Sequence, residues 1–359
     1  MAGLLPHPRP WDAIGSISKI KPLYTWAGGK TNLLKAYKEL IPDYAGFDAY
    51  VEPFFGGGAV FCNVISKSMV GSLFVNDINT ELIHMLNTIV VDPATFIAGV
   101  KIYREDFIKQ GSEAASRAKY KRLQSLYWDA YDKHTSKIGS DKANTKTAAL
   151  LYVLMSLSFS GIFKTSKASN GKFGTAINPE YARNHGRTRK VKAFDPQHIK
   201  NWAAALQYTT ISSGSYQDMA LPTTGRALIF CDPPYRGASI DYANGFNDAD
   251  QLELVAWCKL QAAKGHTVIL ANSVNDSPAN PTYDPLFFQN AIGKAGTIHL
   301  IDGIKHTAGN MAKGKDTRKD GGEFLAIFKP PLVPPSPRTH EEQVAVESWL
   351  GDLNEEGVL

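Results

Sequence analysis

Residues 227–235 read Ala-Leu-Ile-Phe-Cys-Asp-Pro-Pro-Tyr. Five mostly apolar residues of buried-strand character run directly into an acid, two prolines and an aromatic, so a strand must end where the acid is presented. Pro233 and Pro234 lack a backbone N–H and restrict their neighbours to extended conformations, leaving Asp232 at a stiffened strand end beside proline carbonyls able to accept hydrogen bonds. Tyr235 adds a flat ring. Acceptors beside a stacking face suit a planar amine such as the exocyclic amino group of a nucleobase. Taken alone, the tetrapeptide is as well explained as a rigid loop behind a core strand, and the rest of the chain decides.

Two glycine segments precede it. Residues 23–34 read Leu-Tyr-Thr-Trp-Ala-Gly-Gly-Lys-Thr-Asn-Leu-Leu. The glycines permit close backbone approach to a ligand, and Lys30 enters a helix carrying Leu33, Leu34 and Tyr37. A phosphate-binding loop is excluded, because its first glycine would fall at Tyr24 and no apolar strand precedes it. Residues 49–64 then read as a short strand ending at Glu52, a glycine turn, and an apolar helix from about Ala59. This is how doubly wound sheets bring backbone N–H groups and a helix start against a nucleotide-like ligand. A second strand, 73–78, ends in an acid about 20 residues after the glycines. Asp77 is thus the expected ligand of both ribose hydroxyls, with N-capping of the helix 80–89 as a second, compatible role.

From 92 to 146 the pattern is helical and amphipathic, and its aromatic residues, among them Phe96, Tyr103, Tyr120, Tyr127 and Trp128, are expected in a core. An apolar helix follows over 148–159. Residues 160–192 are polar, basic and glycine-rich, the composition of a loop or hairpin that meets phosphates with Lys and Arg and base edges with Asn, Ser and Thr. Net charge is only +5, but residues 95–200 hold 20 Lys and Arg against 8 Asp and Glu, while the tail after Pro330 is acidic. A chain of 359 residues, 43% hydrophobic, can bury a large core, and it has no apolar run of membrane-spanning length and no signal-peptide pattern at its start. A cytoplasmic, monomeric protein is expected. Cys62, Cys231 and Cys258 form no Cys-x-x-Cys pair and read as buried reduced thiols, with no metal site.

Beyond the basic stretch come a helix (196–206), a strand (208–213) leading to Asp218, the Asp-Pro-Pro-Tyr strand, a helix (249–264), a strand (267–271) ending at Asn272, and strands at 297–301 and 323–328. In an open α/β sheet the ligand crevice lies at the carboxyl ends of the strands, so Glu52, Asp77, Asp218, Asp232 and Asn272 are expected to converge.

In this order the motifs resemble those of the Dam-like, D12-class DNA adenine N6-methyltransferases: an aromatic-Ala-Gly-Gly-Lys segment (Trp26 to Lys30), a Glu-Pro-Phe-x-Gly-x-Gly loop (Glu52 to Gly58), an acid after the second strand (Asp77), an inserted target-recognition region, and Asp-Pro-Pro-Tyr (Asp232 to Tyr235). The likeness runs from Leu23 to Pro330. It implies a Rossmann-like doubly wound sheet with an inserted, mainly helical recognition domain: residues 20–91 and 196–330 as the two parts of the catalytic domain, 92–195 as the insertion, 331–359 as a Pro-rich acidic tail. It implies S-adenosylmethionine as cofactor, held by Trp26, Ala27, Gly28, Lys30, Glu52, Pro53, Phe54, Gly56, Gly58, Asp77, Asp218 and Asp232. It also implies double-stranded DNA as partner, with an adenine flipped from the stack and its N6 met by Asp232, Pro233 and Tyr235. Lys164, Lys172, Asn178, Arg187 and Arg318 are the expected DNA contacts. Around residues 160–169 the chain departs from the family pattern, so the family's GATC specificity is not carried over. N4-cytosine or RNA-base methylation uses a similar amine site, and a DNA-binding regulator that has lost catalysis could keep the fold. Intact Asp232 and Lys30 argue for an active enzyme.

Overall fold

The computed structural model describes residues 20–331, apart from 25, 27–28, 68–70, 109–112, 137–140, 158–164, 168–172, 176–193, 237–245, 274–283, 285 and 306–319. A 3-10 turn (Lys30–Asn32) leads into a short helix α1 (Leu34–Tyr37), and strands then alternate with helices: β1 (Ala49–Glu52), α2 (Ala59–Lys67), β2 (Ser72–Asp77) and α3 (Thr80–Val91). Three further helices follow, α4 (Pro93–Ile108), α5 (Glu113–Ser136) and α6 (Asp141–Leu157), then a two-stranded antiparallel hairpin of β3 (Thr165–Lys167) and β4 (Phe173–Thr175). The chain returns to the sheet with α7 (Pro196–Leu206), β5 (Thr209–Ser213), β6 (Ala227–Cys231), α8 (Asp248–Ala263), β7 (Thr267–Ser273), α9 (Phe287–Ile292), β8 (Thr297–Lys305) and β9 (Asp320–Phe328).

The main sheet has seven strands in the order β5-β2-β1-β6-β7-β9-β8. The first five are parallel to one another, whereas β9 runs antiparallel to β7 and β8 antiparallel to β9. Strand β6 is buried along its whole length and alternates between two cores: Leu228 and Phe230 face one layer of helices, Ala227, Ile229 and Cys231 the other. A strand covered on both faces needs a continuous apolar run, which explains Ala-Leu-Ile-Phe-Cys. The first layer contains α1 to α7, with Trp202 of α7 stacked on Phe61 (centroids 5.6 Å apart) and edge-on to Phe55. The second contains α8 and α9.

The helices of the expected insertion share the first core. Phe96, Tyr120 and Tyr127 are buried there, as expected, together with residues 148–155 and Leu157. The expected cap of α3 is corrected: Asn79, not Asp77, accepts the Leu82 N–H, while Asp77 Oδ1 accepts the Asn79 N–H and sets the turn that precedes the helix. Helix α9 was not expected, because its six residues are too few to show a helical period. Among the described residues no single helix is long and apolar enough to cross a membrane.

Candidate active site

Register places the acids together. Glu52 lies opposite Val75 on β2, two residues before Asp77, and Val51 lies opposite Ile229 on β6, so the carboxyl ends of β1, β2 and β6 open at one edge. Antiparallel β9 enters that edge from the other direction, with Glu323 opposite Ser273 and Phe324 opposite Asn272.

One half of the crevice is the turn 53–58. Gly56 and Gly58 have φ of +49° and +65°, which side chains adopt at a cost. The space beside Gly56 is already occupied, for a Cβ there would lie 2.7 Å from Trp26 Nε1, and one on Gly57 would lie 2.7 Å from Trp26 Cβ. The glycines therefore admit the Trp26 side chain against the turn. Both backbone groups of Gly56 are held: its N–H donates to Asp77 Oδ2 (2.8 Å) and its carbonyl accepts from the Tyr24 hydroxyl (3.0 Å). Burial raises the Asp77 carboxyl above its usual range, opposed by the N–H groups of Asn79 and Gly56. Ile78, the next residue, is 64% exposed, an apolar surface at the strand end that the sequence reading passed over. Glu52 is buried; it accepts the Tyr50 hydroxyl (2.8 Å), and burial pushes its carboxyl well up, offset by that bond and by the Phe61 N–H in the first turn of α2. Pro53 is buried and its carbonyl accepts from Asn76. Phe54 packs on Tyr216 (5.2 Å) and edge-on to Phe246. Asp218 lies exposed in the 3-10 turn after β5, whose cap is Ser215.

The other half is built on β6. Asp232 Oδ1 pairs with Lys30 Nζ at 2.7 Å, the lysine being 3% exposed and the aspartate 22%. The same ammonium lies 4.5 Å from the centre of the Tyr235 ring. Burial lifts the Asp232 carboxyl to about 6; Lys30 draws it down and the Glu323 anion pushes it up. Glu323, 3% exposed, accepts the hydroxyl of fully buried Tyr37 at 2.5 Å. Burial and the neighbouring anions raise both Tyr37 and Tyr235 far above the usual phenol range.

The loop after Asp232 is held by buried amides. Gln251 donates to the Pro234 carbonyl (2.9 Å) and accepts from the Asn272 amide (3.0 Å), while Asn272 Oδ1 accepts the N–H of Arg236 (3.1 Å) and Ser273 (2.9 Å). Arg236 in turn makes a bidentate pair with Asp248, both bonds 2.8 Å, over the Phe287 ring. Asn272 thus supports the loop behind the crevice, an assignment its place at a strand end did not distinguish from ligand binding.

The structure therefore brings together Trp26, Lys30, Glu52, Pro53, Gly56, Gly58, Asp77, Asp232 and Tyr235 along one sheet edge, and adds Tyr37 and Glu323. Ala27, Gly28, Lys164, Lys172, Asn178, Arg187 and Arg318 lie outside the described residues. Among the described residues no group of three or more His, Cys, Asp and Glu side chains is placed to hold a metal ion.

A seven-stranded sheet in this order, with a glycine turn and an Asp-Pro-Pro-Tyr strand end side by side, has the architecture of an α/β methyltransferase. The sequence profile of the D12 class N6 adenine-specific DNA methyltransferases matches residues 26–300, and the chain belongs to that family. It is similar to the type II methyltransferase M.MjaIII of Methanocaldococcus jannaschii, 26% identical over 319 residues, which cover 86% of this chain and 99% of the relative. The DNA adenine methylase of Vibrio cholerae O1 is 26% identical over 88% of this chain and 99% of its own. That of Escherichia coli K12 is 22% identical over 89% and 99%. The family is one of enzymes that methylate adenine in DNA, and a methyl donor is implied by that activity.

Proposed function

We propose that the chain transfers a methyl group from S-adenosylmethionine to N6 of an adenine flipped out of double-stranded DNA. The observation that carries the reading is the buried Lys30–Asp232 pair against the Tyr235 ring, beside the glycine turn tied to Asp77. The residues present fit the cofactor. Asp77 offers carboxylate lone pairs to a ribose, Ile78 an apolar surface to a purine, and the acids at the edge, Glu52, Asp77, Asp232 and Glu323, form a field that suits a cation. When bound, the cofactor supplies a methyl group on a positively charged sulfur. Trp26, Ala27, Gly28 and Lys30 are assigned to its methionine end, with Glu52 and residues 53–58 below it and Asp218 at the outer rim.

The rest of the chemistry belongs to the protein. The N6 lone pair is conjugated into the adenine ring and is a poor nucleophile. Ionised Asp232 and the Pro233 carbonyl accept the two N6 hydrogens, which draws the nitrogen toward tetrahedral geometry and localises the lone pair. Because Gln251 holds the Pro234 carbonyl, the proline acceptor assigned here is that of Pro233. Tyr235 stacks on the ring and fixes its height. The basic region 92–195, with Lys164, Lys172, Asn178 and Arg187, together with Arg318, is assigned to DNA, its hairpin β3–β4 being the described part of the stretch expected to read bases.

Incubation with labelled S-adenosylmethionine and duplex DNA, followed by nucleoside analysis, tests the reading. N6-methyladenine is the expected product. N4-methylcytosine, or no transfer, would overturn it. DNA retention that falls steeply with salt supports the basic region as the contact surface, and a flat dependence removes that assignment.

A further inference from the structure

Among the described acids of the crevice, Glu323 is the one that comes from an antiparallel strand, and it lies in the first half of β9 with 3% of its surface exposed. The Tyr37 hydroxyl donates to its Oε2 at 2.5 Å, and the Tyr37 ring packs against Phe230, two residues before Asp232 on β6. Tyr235 completes the cluster from the loop: its hydroxyl is buried and its ring meets the Lys30 ammonium that pairs with Asp232. The titratable groups facing Asp232 are Lys30 from the N-terminal turn, Tyr37 from α1, Glu52 from β1, Cys231 and Tyr235 from its own segment, and Glu323 from β9. A second buried carboxylate beside Asp232 opposes its ionisation and so makes Asp232 a better base.

We propose that Glu323 is a positioning residue for methyl transfer: it clamps Tyr37 behind the strand that presents Asp232, and as a second buried anion it opposes the pull of Lys30 on Asp232. The proposal rests on the function read above and gives Asp232 a defined task after the methyl group has arrived. N6 then carries four bonds and a positive charge. One N–H bond breaks, its electron pair stays on nitrogen, and the proton passes to a carboxylate oxygen of Asp232. An Asp232 held wholly by Lys30 would be a poor acceptor for that proton, and Glu323 corrects this.

The test uses the full chain with S-adenosylmethionine and a duplex oligonucleotide, measuring kcat, KM for DNA and the pH profile of kcat. Glu323→Gln keeps an acceptor for the Tyr37 hydroxyl and removes the charge. Its acid limb should move to lower pH, with kcat down roughly tenfold and KM for DNA changed by less than about twofold. Tyr37→Phe removes the clamp, and kcat should fall by a similar factor, again with KM unchanged. An acid limb that stays in place or moves up in Glu323→Gln, or a loss carried by KM, would overturn the proposal. Should Glu323→Gln fail to fold, unchanged kcat in Tyr37→Phe overturns it alone. Absence of transfer by the wild-type chain would remove the function itself, whereas wild-type transfer with an unmoved limb removes only the role of Glu323.

Discussion

The two halves of the crevice hold their carboxylates by different means. Asp77 is fixed by main chain, accepting the N–H groups of Gly56 and Asn79, and the turn it holds is filled from the other side by Trp26. Asp232 is fixed by a side chain, the Lys30 ammonium, which itself lies against the Tyr235 ring. A peptide N–H cannot titrate and moves only with the backbone, so the first half is a rigid mould. An ammonium, a phenol and a second carboxylate respond to charge, so the second half is tuned. Substitutions in the first should act on binding of the methyl donor, and those in the second on kcat and its pH dependence.

The largest effect is expected from Asp232→Ala, which removes the anion proposed to meet the target amine. The expected loss in kcat is at least roughly 10²–10³-fold, the scale for removing a group that acts on charge in the transition state. DNA binding at low salt should survive. Near-wild-type turnover would show that the tuned half is not where the chemistry occurs. Gly56→Ala probes the mould. A Cβ there is disfavoured by the φ of +49° and collides with the Trp26 indole at 2.7 Å. The strain is about 1–2 kcal/mol for a side chain in the left-handed region, so KM for the donor should rise about tenfold, with the acid limb of kcat in place. A shifted limb would mean that the halves are coupled.

Lys30→Met separates them by pH. Asp232 titrates at about 6 with Lys30 drawing it down, so loss of the ammonium must raise it, and the acid limb should move to higher pH, opposite to Glu323→Gln. Stability follows the same sign. A carboxyl with a folded pKa above the unfolded value, about 4, binds its proton more tightly in the native state. Its contribution is therefore complete below about pH 4 and is lost as pH rises through about 6. Thermal unfolding between pH 4 and 8 should show Lys30→Met falling away from wild type on the alkaline side. A limb that moves down would contradict the geometry of the pair.

Asp232 in the tuned half was legible because it stands at the carboxyl end of a parallel strand, where an apolar run followed by an acid marks the crevice, and Lys30 because it follows the first glycine segment. Glu323 was not, because β9 is antiparallel and presents its first residues there instead, and the sequence of a strand does not state its direction. Tyr37 read as an apolar helix residue, and only the fold shows that its hydroxyl reaches β9. In the mould, the glycines were visible but their partner was not. They suggest a turn open to a ligand, whereas the Trp26 side chain already fills the space beside two of them. Asn272 shows the converse, a polar strand end that supports the loop through Gln251 and Arg236.

The smallest effect sharpens the mould. Tyr24 is buried, and its hydroxyl donates to the Gly56 carbonyl at 3.0 Å, opposite the N–H held by Asp77. Tyr24→Phe keeps the ring against Trp26 and removes that bond, a loss of about 0.5–1.5 kcal/mol. If the turn is a mould for the donor, KM for the donor should rise about two- to fivefold, because part of the loss falls on the fold rather than on binding. Burial and the Asp77 anion raise the Tyr24 hydroxyl well above the usual phenol range, so it stays protonated at working pH and the effect should not vary between pH 6 and 9. Steady-state measurements across that range decide it. A pH-dependent change in KM would mean that Tyr24 acts through the charge of Asp77, and the rigid half would then be tuned as well.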